Sequence, residues 1–456
     1  MAGCFSITTL GCKVNQYESC ALAAALAARG MSRADGTGKP PDLAVVNTCC
    51  VTAAAMRKSR QAIRRCAKRW PDAAIVVTGC YADYDGCGVS RLLRDRDRAV
   101  VCGHHGDIAS LLPHLAAGVP CASSADATPE NLKTRRLACL ARPAPPPLPP
   151  IARFDDHQRA FVKVQDGCDA FCSYCVVPYT RPLVRSRGAE QIEAECRALI
   201  ASGHKEIVLC GVFLGAFGQD TAIRRKWNGN GLHLSGLLRR VASIEGLWRV
   251  RLSSIEPLDV TDDLLAAFCE LRNAAPHFHL PLQSGSDRIL RRMNRQYSSD
   301  DFLRTVSRLR ETLDSPAITT DVIVGFPGES EDDFARTLSA ADQAGFAKIH
   351  AFPFSPVAGT AAWRMRRDCP PAKAVKERLA RLLALESRLA EAYRRQFVGK
   401  VVEGLVEDSP SPRRQAITDR YLTVFFEEPT IKAGQVVSLK ITGICREGLI
   451  GQPCKT

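Results

Sequence analysis

A chain of 456 residues with a formal net charge of +14 is too long for one hydrophobic core, so two to four domains and a polyanionic partner are expected. No apolar run approaches the ~20 residues that cross a bilayer. The opening "MAGCFSITTLGCKV" lacks a cationic region followed by an apolar core, which speaks against an export signal. A cytoplasmic location is therefore expected, where 20 cysteines point to metal or catalysis and not to disulfides.

The first block, residues 1–120, alternates apolar runs "CFSITTL", "DLAVVNTC", "AAIVVTGC" and "RAVVCG" with helical patterns over 19–29 and 53–69. Continuous apolar strands between helices predict a parallel sheet covered on both faces, a small doubly wound α/β domain. Residues 121–150 end in "ARPAPPPLPP" and read as an extended proline-rich linker. From 151 to 397, "AFVKVQ", "EIVLCGV", "WRVRLSS", "HFHLPL", "ITTDVIVGF" and "AKIHAFPF" predict the strands of a partial (β/α)6 barrel. A long basic helix over 372–397 trails it. Short strands in 398–456 fit a small β-barrel of nucleic-acid-binding type. The expected class is α/β with a terminal β-barrel.

The stretch "VQDGCDAFCSYCVVPYT" holds Cys168, Cys172 and Cys175 in the pattern C-x3-C-x2-C, just after the first barrel strand. Chemistry in such barrels gathers at that end of the strands. Three soft thiolates suit three corners of a [4Fe–4S] cube. A zinc ribbon needs a fourth ligand, and no second knuckle follows. An iron without a protein ligand can bind a cosubstrate, and the known use of this spacing is chelation of S-adenosylmethionine for radical formation. Tyr174 is expected near its adenine, or packing the loop. Ser253 and Glu256 in "LSSIEP", with Gln283 and Ser284 in "LQSGS", sit at strand ends, where they line the cosubstrate pocket or serve turns and caps.

The first block carries a second trio. Cys12, Cys49 and Cys80 each end an apolar strand, the edge where open α/β sheets gather ligands. Cys50 competes with Cys49, but successive residues of an extended chain point opposite ways, so one of the two faces the others. Cys49 is the choice. Arg57, Lys58, Arg60, Arg64, Arg65, Lys68 and Arg69 occupy one helix-like stretch without an acid, a face for phosphate or simply for solvent. Arg181, Arg185 and Arg187 follow the cysteine loop, for phosphate contact or rim salt bridges. Beyond residue 400 seven basic residues meet seven acids, so the terminal barrel is not strongly basic.

At "TLGCKVNQYES", "VNTCCVT", "VTGCYA", "VQDGCDAFCSYCVVPYTR" and "LPLQSGSDRIL" the chain resembles the methylthiotransferase family of radical S-adenosylmethionine enzymes. "GCKVNQYES" with "RKSRQAIRR" is similar to the bacterial branch acting on threonylcarbamoyladenosine at position 37 of transfer RNA. The resemblance implies an auxiliary [4Fe–4S] cluster on Cys12, Cys49 and Cys80, a radical cluster on Cys168, Cys172 and Cys175, and a C-terminal RNA-binding barrel of the TRAM type. It implies transfer of a methylthio group to C2 of the adenine, with S-adenosylmethionine as cosubstrate. The expected partners are the transfer RNA anticodon stem-loop, an electron donor and a sulfur source, with the chain a monomer. The RNA-contacting candidates are Arg57, Lys58, Arg64, Arg65, Arg69 and Arg185. Isopentenyladenosine or a ribosomal-protein aspartate is the rival substrate. An iron–sulfur carrier or redox-sensing RNA-binding protein is the rival of another class.

Overall fold

The computed structural model describes residues 3–34, 40–93, 98–103, 127–140, 150–154, 157–227, 231–409 and 413–454. The first unit is a five-stranded parallel sheet built from β1 (Cys4–Thr9), β2 (Ser32–Arg33), β3 (Leu43–Thr48), β4 (Ala74–Gly79) and β5 (Ala99–Val101). Their spatial order is β2-β1-β3-β4-β5. Alternate residues feed opposite cores. Val46, Ile75 and Val77 pack with Met56 and Ile63 of helix α2 (Ala53–Arg69) on one face. Val45 and Val76 pack with Leu22 and Leu26 of helix α1 (Lys13–Ala27) on the other. Burial on both faces is why these strands read as unbroken apolar runs. The chain reverses its winding between β1 and β3, a switch point that opens a crevice at the strands' carboxyl ends.

α1 begins six residues before the helical pattern over 19–29. Its first turns bury Asn15, Glu18 and Ser19, polar residues that interrupt the apolar period. β2 is a two-residue edge strand with no apolar run of its own. Leu132–Leu140, inside the stretch read as linker, is helical, whereas the proline run at 141–149 lies outside the described residues.

The second unit is a partial barrel of six parallel strands: β6 (Arg159–Asp166), β8 (Glu206–Gly211), β9 (Arg249–Leu252), β10 (His277–His279), β11 (Ala317–Val324) and β12 (Lys348–Pro353). A two-residue strand, β7 (Arg185–Ser186), adds antiparallel to the outer edge of β6. Bridges Val250↔Ala274 and Ser254↔His279 join β9 to the β10 segment and make the surface continuous. Helices follow each strand, among them Ala189–Ala201 and Ser299–Thr312, and Ala372–Arg395 closes the series. α1 serves both units, because Val14, Tyr17 and Ala21 on its other face belong to the barrel core.

Five strands, β13 (Val401–Glu407), β14 (Arg414–Thr418), β15 (Thr423–Phe426), β16 (Val436–Ile444) and β17 (Leu449–Pro453), close the C-terminal barrel. β14 had no sequence signal, since only Ala416, Ile417 and Thr418 of "RQAIT" are buried. Its turn docks under the radical barrel. Arg249 and Arg251 donate to the carbonyls of Ile417 (2.8 Å), Thr418 (3.0 Å) and Asp419 (2.7 Å), and Glu206 pairs with both guanidinium groups. Tyr421 stacks on His277 with ring centroids 4.9 Å apart.

Candidate active site

Both cysteine trios are set by turns at strand ends. Gly11 adopts φ 107°, and a Cβ there would lie 3.2 Å from the Cys49 sulfur, so only glycine lets the Cys12 turn approach Cys49 so closely. Gly167, at φ 79°, turns the chain where a Cβ would sit 1.8 Å from the Leu183 carbonyl oxygen. Asn15 holds the first turn by donating to the carbonyls of Leu10 (2.8 Å) and Thr48 (3.0 Å), which ties the end of β1 to the end of β3.

The three N-terminal thiols feel one another. Burial pushes Cys12 up, and Cys80 raises it further. Cys49 is pushed up to about 12 by burial first and Cys80 next, with Cys12 adding to both. Cys12 is surrounded by the fold yet its surface stays accessible, so it borders a gap in the packing, while Cys49 and Cys80 are buried. Cys50 is fully buried against Tyr81, Tyr84 and Val89, on the α2 side of the sheet. Cys49 is thus the member of the pair beside Gly11, although Cys50 also lies against Cys80.

In the second trio, burial and then Cys175 raise Cys168 well above its ordinary value. Cys175 is pushed up to about 12 by burial and Cys172, and Cys80 of the other trio contributes as well. Val176, next to Cys175, packs in the same buried cluster as Cys80, so the two trios meet where the two units join. Among the described residues, no three His, Cys, Asp or Glu side chains close around a single metal-ion position. A cube asks for something different, one thiolate per iron at separate corners. Three mutually coupled thiols on turns, twice over, fit that requirement.

A clamp holds the radical-type loop. Ser173 donates to the Arg292 carbonyl (2.8 Å), and Asn294 donates to the carbonyls of Ala170 (3.1 Å) and Phe171 (3.0 Å). Arg295 donates to the Cys172 sulfur (3.0 Å) and to the Tyr174 hydroxyl (3.4 Å), and it pairs with Glu256. Burial works against the Arg295 charge, but Glu256 and Tyr174 more than offset it. Glu256 is thereby brought to the cysteine loop, beside Tyr174. Asn294 and Arg295 were missed in the sequence, where "RRMNRQ" carries no spacing signal and reads as a basic helix end.

The remaining candidates divide. Gln283 sits at φ 60°, buried, with its Oε1 unpartnered. Ser253 lines a cavity of 1000 Å³ together with Gly11 and Lys13. Ser284 is a correction: it is fully buried 3.3 Å from the Thr337 hydroxyl and accepts from the Ser286 amide, so it builds the turn and does not line that cavity. Arg181 and Arg187 resolve to salt bridges. Arg181 pairs with Glu18 (2.7 Å) and Asp166 (2.8 Å), and Arg187 pairs with Glu195 (2.6 Å), all in the seam between α1 and the barrel. Arg185 is more open, 3.9 Å from Asp166.

On α2, Arg57, Lys58, Arg64, Arg65, Lys68 and Arg69 are exposed and form no ion pair among the described residues. Arg60 instead donates to Tyr81 (3.1 Å). The basic helix Ala372–Arg395 is a different case from α2. Arg378, Arg381, Arg388 and Arg395 pair with Glu329, Glu331, Asp342 and Glu391, so much of its charge is spent on its own fold.

Residues 162–341 match the family model of the radical SAM superfamily, and residues 4–103 match that of the uncharacterised protein family UPF0004. Threonylcarbamoyladenosine tRNA methylthiotransferase MtaB of Chlamydia pneumoniae is 35% identical across 99% of this chain and 98% of its own length. The chain belongs to the radical SAM methylthiotransferase family. The Bacillus subtilis MtaB is likewise 35% identical, over 95% of this chain and 92% of its own. The tRNA-2-methylthio-N(6)-dimethylallyladenosine synthase of Thermobifida fusca is 37% identical over 96% and 86%. Among solved structures, the radical S-adenosylmethionine methyltransferase TsrM of Kitasatospora setae superposes with a TM-score of 0.56 at 15% identity, covering 79% of this chain and 75% of that one. That likeness speaks for the fold alone. Membership makes this chain an enzyme of radical S-adenosylmethionine chemistry, with [4Fe–4S] clusters as its cofactors. Among the described residues, no helix is long and apolar enough to cross a membrane.

Proposed function

We propose that this enzyme adds a methylthio group to C2 of N6-threonylcarbamoyladenosine at position 37 of transfer RNA. The observation that carries the reading is the meeting of the two trios, since Val176, next to Cys175, packs in the same buried cluster as Cys80. Cys168, Cys172 and Cys175 hold one cluster, and Cys12, Cys49 and Cys80 the other. When bound, the clusters and S-adenosylmethionine supply one-electron bond cleavage on one side and sulfur on the other. An aromatic C–H resists acid–base activation, so the reaction is assigned to the thiol trios and not to an acid–base pair.

The chain's own residues orient and exclude. Asn294 and Ser173 fix the cysteine loop, and Arg295 brings Glu256 and Tyr174 to it as cosubstrate contacts, joined by Gln283 and Ser253. The C-terminal hairpin around Tyr421 stoppers the barrel and keeps water from the reacting centre. A stacked base cannot enter such a chamber, so a splayed anticodon-loop base is the fitting substrate. The exposed cations of α2, with Arg185, attract its phosphates. The basic lining of the cavity favours the threonylcarbamoyl base over the isopentenyl one.

The test is reconstitution of both clusters followed by assay on anticodon stem-loops carrying unmodified, isopentenyl and threonylcarbamoyl adenosine. Methylthiolation of the threonylcarbamoyl stem-loop is the expected result. Product on the isopentenyl stem-loop alone would reassign the substrate. No deoxyadenosine from the reduced protein and S-adenosylmethionine would favour an iron–sulfur carrier instead.

A further inference from the structure

Threonylcarbamoyl and isopentenyl bases share the reacting carbon and differ in the group on N6: one ends in a hydroxyl and a carboxylate, the other in an apolar branch. N6 and C2 lie on the same Watson–Crick edge, the edge by which enzymes read an extruded base. A residue beside the sulfur-bearing trio is therefore placed to read N6.

The 1000 Å³ cavity runs from the N-terminal turn through the barrel to the C-terminal barrel. Six of its lining side chains carry fixed positive charge (Lys13, Arg251, Lys348, Arg394, Arg420 and Arg446), against two acids, Asp321 and Glu447. Several of these charges are already matched. Arg251 pairs with Glu206, Lys348 with Glu386, Arg420 with Asp419, and Asp321 lies 3.3 Å from His279. Lys13 is different. It forms no hydrogen bond and no ion pair among the described residues. It lines the same cavity as Ser253, His277 and Tyr421, and it follows Cys12 directly in the chain.

An anion arriving in the cavity would give the Lys13 ammonium an ionic partner and a charge-assisted hydrogen bond. A carboxylate on N6 would supply that anion. An isopentenyl group would strip water from Lys13 and give nothing back. We infer that Lys13 receives the carboxylate of the threonylcarbamoyl group and is the residue by which this enzyme selects its base. This rests on the substrate reading above and adds the chemical basis of the choice.

The experiment uses the cluster-loaded enzyme and three stem-loops: threonylcarbamoyl, the same with its carboxylate converted to the primary amide, and isopentenyl. Wild type should favour acid over amide by about tenfold or more in KM. Lys13→Met should raise KM for the acid by about ten- to a hundredfold, the size of one charge-assisted hydrogen bond, with kcat little changed and the amide unaffected. Lys13→Arg should restore most of the preference. Stem-loop binding, followed by fluorescence anisotropy on the same variants, should show the same acid-to-amide ratios and decides the matter should Lys13→Met lower the iron content. A wild type active on the threonylcarbamoyl stem-loop, with an acid preference that Lys13→Met retains, overturns the Lys13 assignment alone. So does a wild type that does not distinguish acid from amide. A wild type active only on the isopentenyl stem-loop overturns the substrate reading, and Lys13 with it.

Discussion

Cys49 and Cys50 are chemically identical neighbours that the backbone sends to different places. The Cys49 sulfur lies beside the Gly11 turn and Cys12, whereas Cys50 is fully buried among Tyr81, Tyr84 and Val89. Cys49→Ala should cut anaerobically purified protein from about eight irons to about four, and Cys50→Ala should leave about eight, as measured by iron and sulfide content. The opposite result would exchange their roles. Loss in both would mean that the core, and not ligation, was disturbed. The two trios are separable by the same logic. Cys172→Ala should abolish deoxyadenosine formation, while Cys80→Ala should spare part of that cleavage and block methylthiolation, both read by chromatography of the reaction mixture. Complete loss of cleavage in Cys80→Ala would remove the division of labour.

At the scale of elements, the central strands of both α/β units were legible because burial on two faces turns them into apolar runs, as in Ala44, Val45 and Val46 or Ile207, Val208 and Leu209, whereas the two-residue edge strands β2 and β7 carry no such run. The candidate ligand cysteines of the first unit could be picked out for the same reason, since each follows such a run. The polar half of the architecture was not. Glu18 on α1 meets Arg181 across 163 residues of sequence, and no local pattern encodes a pairing at that distance. Glu206 is a similar case, a fully buried carboxylate on β8 between Arg249 and Arg251, which hold the C-terminal barrel. Burial alone would raise the Glu206 carboxyl, but Arg251 and then Arg249 draw it below its ordinary value of about 4.3. The unfolded chain then takes up this proton first as pH falls. Its stabilisation is complete above about pH 4.3 and is lost below, as pH passes through the lowered folded value. Glu206→Gln should cost about 3–5 kcal/mol at neutral pH, because two buried guanidinium groups lose their counter-charge. The gap to wild type should narrow below about pH 4 in denaturant titrations. A gap independent of pH would mean that shape and hydrogen bonding, not charge, join the barrels.

Across the whole molecule, a net charge of +14 does not say which surface meets RNA, and the distribution of partners does. The C-terminal barrel balances its charges, and the arginines of Ala372–Arg395 are largely occupied by acids on the same side of the fold. α2 is the contrary case, because its apolar stripe of Met56, Ile63 and Cys66 fixes one face on the sheet and leaves the opposite face wholly cationic. The helix begins four residues after Cys49 and its first cation, Arg57, follows one turn later, so a stem-loop held on that face would lie close to the candidate chemistry. If Arg64, Arg65 and Arg69 each neutralise one phosphate, reversing all three to Glu should weaken stem-loop binding at every sequence alike. It should also flatten the slope of log affinity against log salt by about 2 to 3. Fluorescence anisotropy from about 50 to 200 mM salt measures both quantities. The folded state should be unaffected, since none of the three is paired with an acid among the described residues. An unchanged affinity and an unchanged slope would exclude α2 and move the phosphate contacts to Lys348, Arg394 and Arg446 at the cavity mouth. A lower affinity with an unchanged slope would mean that the new carboxylates repel RNA from a surface it does not touch.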